Sequence, residues 1–311
     1  MKIKVLSLFN GISCGQIALD RAGVVVDKYY ASEIDKYAIG ITHKNYPNTI
    51  QLGDVYGVKG YDLPKIDLII GGNPCQSFSF CGKQLNFSDP RGMLFFEFIR
   101  VLKECKPKYF LLENVVMKKE YQDIFTEYLN STGIPGIHMN KINSSLVSGQ
   151  NRERLYWSNI PYKLPIEDKG ILLKNIVLKD AIFENGTSCG GGHILSLLLS
   201  ENALAYMDRT VKDGRTHWDF QHHSDVRDPK SRTVVANFYK GVPYNVLKDW
   251  NCIRYFDCVE VERLQTVPDN YTKTGIVNGK EVLISNTQRM KCLGNGWTVD
   301  VIAWIFKFLV F

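Results

Sequence analysis

The sequence predicts an α/β protein built on a doubly wound, mostly parallel sheet, with a second, smaller, irregular and β-rich domain. Three observations predict it. Short β-rich runs alternate with amphipathic stretches through the first half of the chain. That rhythm breaks at about residue 165, where polar, basic and aromatic residues without long helical periodicity take over. A regular pattern returns at VEVERLQTV (259–267) and again from Thr287 to the end. The expected division is therefore residues 1–170 plus 284–311 for the main domain and 171–283 for the smaller one.

Strand-like runs fall at KVLSLF (4–9), DKYYAS (27–32), TIQLGD (49–54), IDLIIGG (66–72) and YFLLENV (109–115). Helical patterns occupy 15–22, 34–45 and 89–105. In the last of these, Asp89-Pro90 supplies a capping side chain followed by proline at the first helical position. Leu94, Phe95, Phe98, Ile99 and Leu102 recur at helical spacing and are expected to face the sheet. In such sheets ligands bind outside the carboxyl ends of the strands. GTSCGGG (186–192) reads as a flexible break, and VIAWIFKFLVF (301–311) as a buried last helix or strand, too short for the ~20 apolar residues of a membrane span.

Composition sets bounds on function. The net charge of +6 leans towards a polyanionic partner, while 23% charged and 45% apolar residues are ordinary for a soluble domain. Eight irregularly spaced cysteines and no secretory pattern in MKIKVLSLFNG point to a reducing cytoplasm with free thiols. Cys252 and Cys258 lack a second close cysteine pair, and His217, His222 and His223 read as solvated or facing a polyanion, so no metal site is expected.

The residues suited to chemistry stand at the strand ends. Gly11 and Gly15, after the first strand, permit either close approach by a nucleotide-like ligand or a tight structural turn. Glu33 is placed either to accept from both hydroxyls of a ribose or to serve as an ordinary acid at a helix N-terminus. Asp54, at the end of the third strand, is placed to accept from an adenine amino group. Cys75 follows the fourth strand in GGNPCQSFSFCGK (71–83), framed by Pro74 and by loop residues rather than core. That framing favours a nucleophilic thiolate over a buried apolar cysteine; Cys81 lacks it. Glu113, in Glu113-Asn114-Val115, projects a carboxyl group towards the same crevice, placed to act as a general acid. In Gln150-Asn151-Arg152-Glu153-Arg154, a strand would put Gln150, Arg152 and Arg154 on one face; otherwise the run is a solvated charge cluster.

The ordered blocks FNGISCG, Glu33, Asp54, NPCQSFS, ENV, QNRER, VERLQTVPDNY (261–271) and LGNGW (293–297) resemble the DNA cytosine-5 methyltransferases. The resemblance covers nearly the whole chain except roughly residues 165–250. PCQSFSFCGKQLNFSDPRGMLFFEFIRVLKECKPKYFLLENV is similar to bacterial restriction–modification and phage enzymes, whereas SLFNGISCG and ENVVM are closer to the eukaryotic de novo enzymes. It implies a Rossmann-like methyltransferase sheet and a target-recognition domain. The implied reaction moves a methyl group from S-adenosylmethionine to C5 of cytosine in duplex DNA, with S-adenosylhomocysteine as product. The base is flipped out and Cys75 adds to C6, with Glu113 at N3 and Arg152 and Arg154 steadying the base.

Further roles follow from the same resemblance. Phe9 stacks on the adenine; Gly11, Asn10, Ile12, Ile34, Val55 and Pro74 line the cofactor pocket; Glu33 holds the ribose, Asp54 the adenine amine, and Asn295 closes the pocket. The loop 76–91, with Gln76, Ser79, Lys83 and Arg91, closes over the flipped nucleotide, and Asn114 and Gln150 face the DNA. Arg263 is structural. The variable segment holds Arg209, Lys212, Arg215, Arg227, Lys230, Arg232 and Lys240 with Tyr206, Trp218, Phe238 and Tyr239. KSRTVVANFYKG (230–241), with Arg232 and Lys240, is read either as the recognition element or as a charged surface pair of strands. The implied setting is a monomer acting on DNA in the cytoplasm, with or without a cognate restriction endonuclease as partner. The chain departs from many members at Ser7, where they carry an acid, and at Ser13-Cys14, where they carry a paired glycine. Trp297 is also atypical of bacterial members and reads equally as a cofactor contact or as core.

Three other functions compete with this one. An RNA cytosine-5 methyltransferase on the same fold is the nearest alternative, opposed by the PCQ form and the full recognition region. A nicotinamide-dependent oxidoreductase leaves Cys75, Glu113 and both arginines without work, and FNGISCG lacks the GxGxxG spacing. A non-catalytic DNA-binding protein conflicts with the intact Cys75 and Glu113.

Overall fold

Strand β1 (Ile3–Leu8) is apolar on both faces, with Val5, Leu6 and Leu8 fully buried, as befits a central strand of a parallel sheet. In this computed structural model, which describes residues 2–73, 90–178, 201, 224–240, 245–249 and 252–311, β1 lies third in a seven-stranded sheet. The order is β3-β2-β1-β4-β5-β7-β6, where β2 is Val26–Ser32, β3 Ile50–Gly53, β4 Leu68–Gly71, β5 Tyr109–Val115, β6 His138–Asn143 and β7 Glu153–Ser158. β1 to β5 run parallel, and β7 runs antiparallel to both β5 and β6. The chain winds outward from β1 to β3 and then restarts at β4, so the order reverses between β1 and β4. A crevice opens at the carboxyl ends of those two strands.

Alternate residues along the strands serve two cores. Val5, Tyr29, Leu68, Ile70 and Leu111 face one layer; Leu6, Tyr30, Ile69, Phe110 and Leu112 face the other. The first layer holds α1 (Cys14–Arg21), α2 (Lys36–Asn45) and the last helix, Val299–Phe306. The second holds α3 (Pro90–Cys105) and α4 (Lys119–Asn130), where Phe95 stacks on Phe125 with ring centroids 3.8 Å apart. Asp35 caps α2, accepting from the Tyr37 and Ala38 amides, and its other oxygen takes the Lys291 ammonium at 2.8 Å. The last helix buries six of its eight residues and packs on α1, where Arg21 pairs with Asp300 at 2.5 Å.

Beyond the main sheet, β8 (Ser224–Asp225), β9 (Val246–Asp249) and β10 (Cys252–Tyr255) form a small sheet in the order β10-β9-β8. The wholly buried Arg254 places both terminal nitrogens on Glu260, at 2.9 and 2.8 Å, joining β10 to the helix Cys258–Leu264. The hairpin of β11 (Thr274–Val277) and β12 (Lys280–Leu283) lies against α2, and Arg289 pairs with Glu262 at 3.1 Å. Contacts thus cross the expected division at residue 283. Among the described residues no helix is long and apolar enough to cross a membrane.

The structure departs from the sequence reading in detail. β1 stops one residue early, because Phe9 turns to φ 58°, and Glu33 and Asp54 stand one residue past the ends of β2 and β3. β6 and β7, which add the antiparallel edge, were not anticipated as a pair. Of Gln150, Arg152 and Arg154, which were to share one strand face, only Arg154 lies on a strand, since β7 starts at Glu153. The C-terminal run is helical to Phe306 only. The break at 186–192 and the histidines at 217, 222 and 223 lie outside the described residues.

Candidate active site

The loop after β1 has three left-handed residues in alternation, Phe9 (φ 58°), Gly11 (φ 56°) and Ser13 (φ 61°). At Gly11 nothing lies within 4 Å of where a Cβ would stand, so this turn presents bare backbone to open space. Glu33 fastens the turn: one carboxylate oxygen accepts from the Gly11 amide at 2.7 Å, the other from Ile34 and Asp35 at 2.8 and 2.9 Å. Beneath it lies a polar cluster. Asn10 Nδ2 donates to Ser13 Oγ at 2.8 Å and its Oδ1 accepts from the Tyr29 hydroxyl at 3.1 Å. Thr42 donates to the Gly11 carbonyl at 3.3 Å, and Tyr271 to the Ile12 carbonyl at 2.8 Å. The Asn10 side chain is therefore spent on shaping the loop, and Ile12 is buried below it.

Ile34 and Tyr56 are exposed apolar side chains beside Glu33 and Asp54, Phe9 is half-buried, and Val55 is in the core. An exposed apolar rim flanked by two carboxylates suits a nucleoside: a flat ring between side chains, hydroxyls towards Glu33 and an amine towards Asp54. Asn295 is exposed at the end of the helix Asn286–Asn295.

The chemical end of the crevice is built by β5 and β7. Val115 pairs with Arg154 across the antiparallel ladder and Glu113 with Tyr156, so Glu113 and Arg154 sit diagonally on one face. Arg154 Nε lies 3.1 Å from Glu113 Oε1, both side chains nearly enclosed. The Glu113 charge and, above all, burial push the Tyr156 hydroxyl far above its usual pKa, so it stays neutral beside them. Asn114 is buried, donating from Nδ2 to Asn73 Oδ1 at 2.9 Å, which ties the end of β5 to the chain just before Pro74. The Asn114 side chain thus points into the protein and not towards a DNA surface. Pro74, Cys75, Gln76, Ser79 and Lys83 lie outside the described residues, and of Arg91 only the backbone is described, in the first turn of α3.

Gln150 and Arg152 have other duties. Gln150 is fully buried: Nε2 donates to the Leu264 carbonyl at 2.5 Å and to Gln265 Oε1 at 3.0 Å, and Oε1 accepts from the Val234 amide at 3.1 Å. Arg152, 3% exposed, donates to the carbonyls of Val234 and of Gly296, the latter at 2.8 Å. Both were expected at the base or the DNA. Here they clamp the segment 230–234 against the loop before β7, because that segment bridges to Gln150 and covers the run. Lys230 reinforces the clamp, its ammonium reaching the carbonyls of Ser145, Ser148 and Ile171; burial lowers its pKa.

Of the variable-segment residues that are described, Arg232 and Lys240 are exposed, Tyr239 is exposed at 37%, and Lys240 lies 5.9 Å from the Tyr239 ring centroid. Phe238 is core, 5.9 Å from the Phe256 ring, and Arg227 pairs with Asp225. Arg263 binds Asp269 and the Ile176 carbonyl. Among the described residues no cluster of metal-ligating side chains exists. Sequence reasoning missed Asn73 and Gln265. Asn73 had a signal, a polar residue directly before Pro74-Cys75. Gln265, which donates to the Leu293 carbonyl at 2.7 Å, had none beyond its place in VERLQ.

Residues 3–310 match the family described as C-5 cytosine-specific DNA methylase. The orphan methyltransferase M.Rho11sI of Bacillus phage rho11s is 38% identical over 181 residues, 56% of this chain and 36% of its own. The match thus spans little more than a third of that relative's length. The type II methyltransferase M.HaeII of Haemophilus aegyptius is 30% identical over 311 residues, 96% of this chain and 90% of its own. Among solved structures, a methyltransferase of Entamoeba histolytica superposes with a TM-score of 0.70 at 16% identity, covering 99% of this chain and 98% of that one. At that identity the likeness concerns the fold.

Proposed function

The chain belongs to the C-5 cytosine-specific DNA methylase family, and on that premise we propose that it methylates C5 of cytosine in duplex DNA after turning the base out of the stack. The observation that carries the reading is the Glu113–Arg154 pair at 3.1 Å, standing at the carboxyl end of the sheet beside the strand that leads into Pro74-Cys75. A general acid held by a guanidinium, next to a cysteine loop, is the equipment that cytosine C6 needs before a thiolate can add to it.

The nucleoside-shaped rim at Phe9, Gly11, Ile34 and Asp54 fits S-adenosylmethionine, which supplies an electrophilic methyl group when bound. Glu33 orients it through the ribose while holding the Gly11 turn in place. Cys75 attacks C6 of the extruded base, Glu113 contacts N3, and Arg154 fixes Glu113 and faces the ring carbonyl. Once C5 is methylated, loss of its proton and departure of the Cys75 sulfur restore aromaticity. Turning the base out costs a few kcal/mol, offset by contacts made in the crevice. Residues 1–170 with 284–311 carry this chemistry, and 171–283 carries target reading, with Arg232 and Lys240 as exposed cations for bases and phosphates.

The experiment incubates the protein with unmethylated genomic DNA and S-adenosylmethionine, followed by base-resolution mapping of 5-methylcytosine. Methylation at a short recurrent motif is expected. A parallel incubation with transfer RNA must give none; methylated RNA with untouched DNA overturns the duplex-DNA reading. Target DNA carrying 5-fluorocytosine is expected to trap a covalent complex with wild type and none with Cys75→Ser.

A further inference from the structure

The segments that enter the parallel strands gather lysine. Pairing sets Lys4 beside Lys28 across β1 and β2, and Val5 beside Leu68 across β1 and β4. Leu68 in turn pairs with Tyr109, and the Tyr109 amide donates to the Asp67 carbonyl at 3.1 Å. Lys28, Lys4, Asp67 and Lys108 therefore stand in one row across four neighbouring strands, about 14 Å from end to end. Lys2, Lys65 and Lys106 lie just upstream, in the segments entering β1, β4 and β5, and all three are exposed. These lysines line the amino end of the sheet, the opposite end from the crevice.

Little at that end neutralises them. Lysines elsewhere are taken up, Lys44 by Glu281, Lys141 by Glu153 and Lys291 by Asp35. Among the described residues, Lys2, Lys4, Lys28, Lys65, Lys106 and Lys108 have no carboxylate in ion-pair contact. Asp67 spends Oδ2 on the Lys4 amide at 2.8 Å, and Glu104 is shared between Arg100 at 2.9 Å and the Gly60 amide at 2.6 Å. Asp27 is exposed beside Lys28 and offsets one charge. The carboxyl end of α3 emerges just before Lys106, but its dipole amounts to about half a charge, too little to account for the whole row. Lys108 is also held in place, its ammonium 5.4 Å from the Tyr109 ring centroid and 5.7 Å from that of Phe311.

We propose that this end of the sheet is a second, sequence-independent binding surface for duplex DNA, separate from the crevice. Lysine is a point charge that meets phosphate and does not read base edges bidentately, so the row supplies grip without specificity. A row fixed by strand register suits a stiff polyanion, and a duplex carries one charge per about 1.7 Å of its axis. The fifth strand puts about 17 Å between Lys108 and Glu113, and the two ends of the sheet face opposite ways. A duplex on the lysines is therefore not the segment whose base enters the crevice. Held there, one segment keeps the protein on DNA while the crevice samples another. The inference needs no cytosine chemistry and goes beyond the proposed function.

The test traps wild type on a short duplex carrying the mapped motif and 5-fluorocytosine, then titrates in a labelled duplex that lacks the motif, read by fluorescence anisotropy. The trapped protein is expected to bind the second duplex with a Kd of about 10⁻⁴–10⁻⁶ M at physiological salt. Combining Lys28→Gln, Lys65→Gln, Lys106→Gln and Lys108→Gln is expected to weaken that binding about tenfold or more and to flatten the slope of log K against log salt by about 2–4. Turnover of this variant on the short duplex is expected to stay within about twofold of wild type. Lys65→Gln with Lys106→Gln alone is expected to give about half the change in slope. A trapped complex that takes up no second duplex overturns the proposal, and so does a quadruple variant that binds it with the wild-type salt slope. If no trapped complex forms because the protein does not act on cytosine, the proposed function falls by itself. Two differently labelled duplexes brought together by wild type, and not by the quadruple variant, then still support the second surface; their failure to meet overturns it.

Discussion

Replacing Arg152 with alanine separates two roles that residue type alone cannot. If its guanidinium served mainly the base, Arg152→Ala would cost turnover and little else. The structure encloses that guanidinium and sets it on the carbonyls of Val234 and Gly296. Hydrogen bonds from a charged donor contribute about 1.5–3 kcal/mol each, so losing both costs about 3–6 kcal/mol. Set against a global stability of about 5–15 kcal/mol, that is a large fraction. The assay is urea unfolding followed by tryptophan fluorescence, where the midpoint is expected to fall in proportion, together with kcat under conditions where the variant is folded. Arg152→Lys keeps the charge but reaches one carbonyl at a time, so about half the loss is expected to return. An Arg152→Ala midpoint within about 0.5 kcal/mol of wild type, with turnover abolished, would refute the clamp and restore a direct role at the base.

Three other outcomes follow from the same geometry. Glu113→Gln is expected to lower kcat by about 10²- to 10⁴-fold, because the amide cannot protonate N3, and to lower stability by about 1.5–3 kcal/mol through the lost charge opposite Arg154; near-wild-type turnover in the folded variant removes Glu113 as the acid. Lys230→Met is expected to destabilise by about 2–3 kcal/mol, less than three separate charged bonds would sum to, because the ammonium that bridges the three carbonyls is only half-buried and is partly screened. Arg232→Ala, exposed two residues on, is expected to leave stability alone and alter sequence preference, read by methylation mapping; the reverse pattern removes 230–241 from target reading. Burial works to raise the Asp35 carboxyl, but the Lys291 ammonium and the Tyr37 and Ala38 amides outweigh it and hold the pKa below the ordinary 3.8. Its stabilisation, about 1 kcal/mol, is thus fully present above the unfolded value and lost as pH falls through the depressed one. The stability gap between wild type and Asp35→Asn is expected to be constant at neutral pH and to close only under that acid limit; a gap that persists there contradicts the assignment.

How much of this was legible in the sequence depended on whether the signal was local. β1, β4 and β5 announced themselves because strands buried on both faces must be nearly all apolar, and Asp89-Pro90 marked the start of α3 at Pro90. β6, HMNKIN, is a polar edge strand with little buried surface, and no periodicity betrays it. Its neighbour β7 was hidden inside a charged run. The meeting of Glu113 with Arg154 depends on an antiparallel return whose register, Val115 opposite Arg154, is set by long-range pairing. Gln150 and Arg152 misled for a physical reason. Polar and cationic types suggest solvent or phosphate, yet a crossing segment more than 80 residues away in sequence covers them and supplies backbone partners. Phe238 misled in the same way, an aromatic in a basic segment that proved to be core.

The partners of that buried joint are almost all main-chain atoms. Arg152 takes the carbonyls of Val234 and Gly296, Gln150 the Val234 amide and the Leu264 carbonyl, Lys230 three further carbonyls, and Ser231 pairs by backbone with Gly149 and Asn151. Backbone groups are present whatever the side chain, so such a joint constrains chain path far more than residue identity. The exposed side chains of Arg232, Tyr239 and Lys240 ride on that fixed path and are free to differ without disturbing it. The same Arg152 that holds Val234 also holds the carbonyl before Trp297, so the segment proposed to read DNA and the turn facing Glu113 share one buried cation.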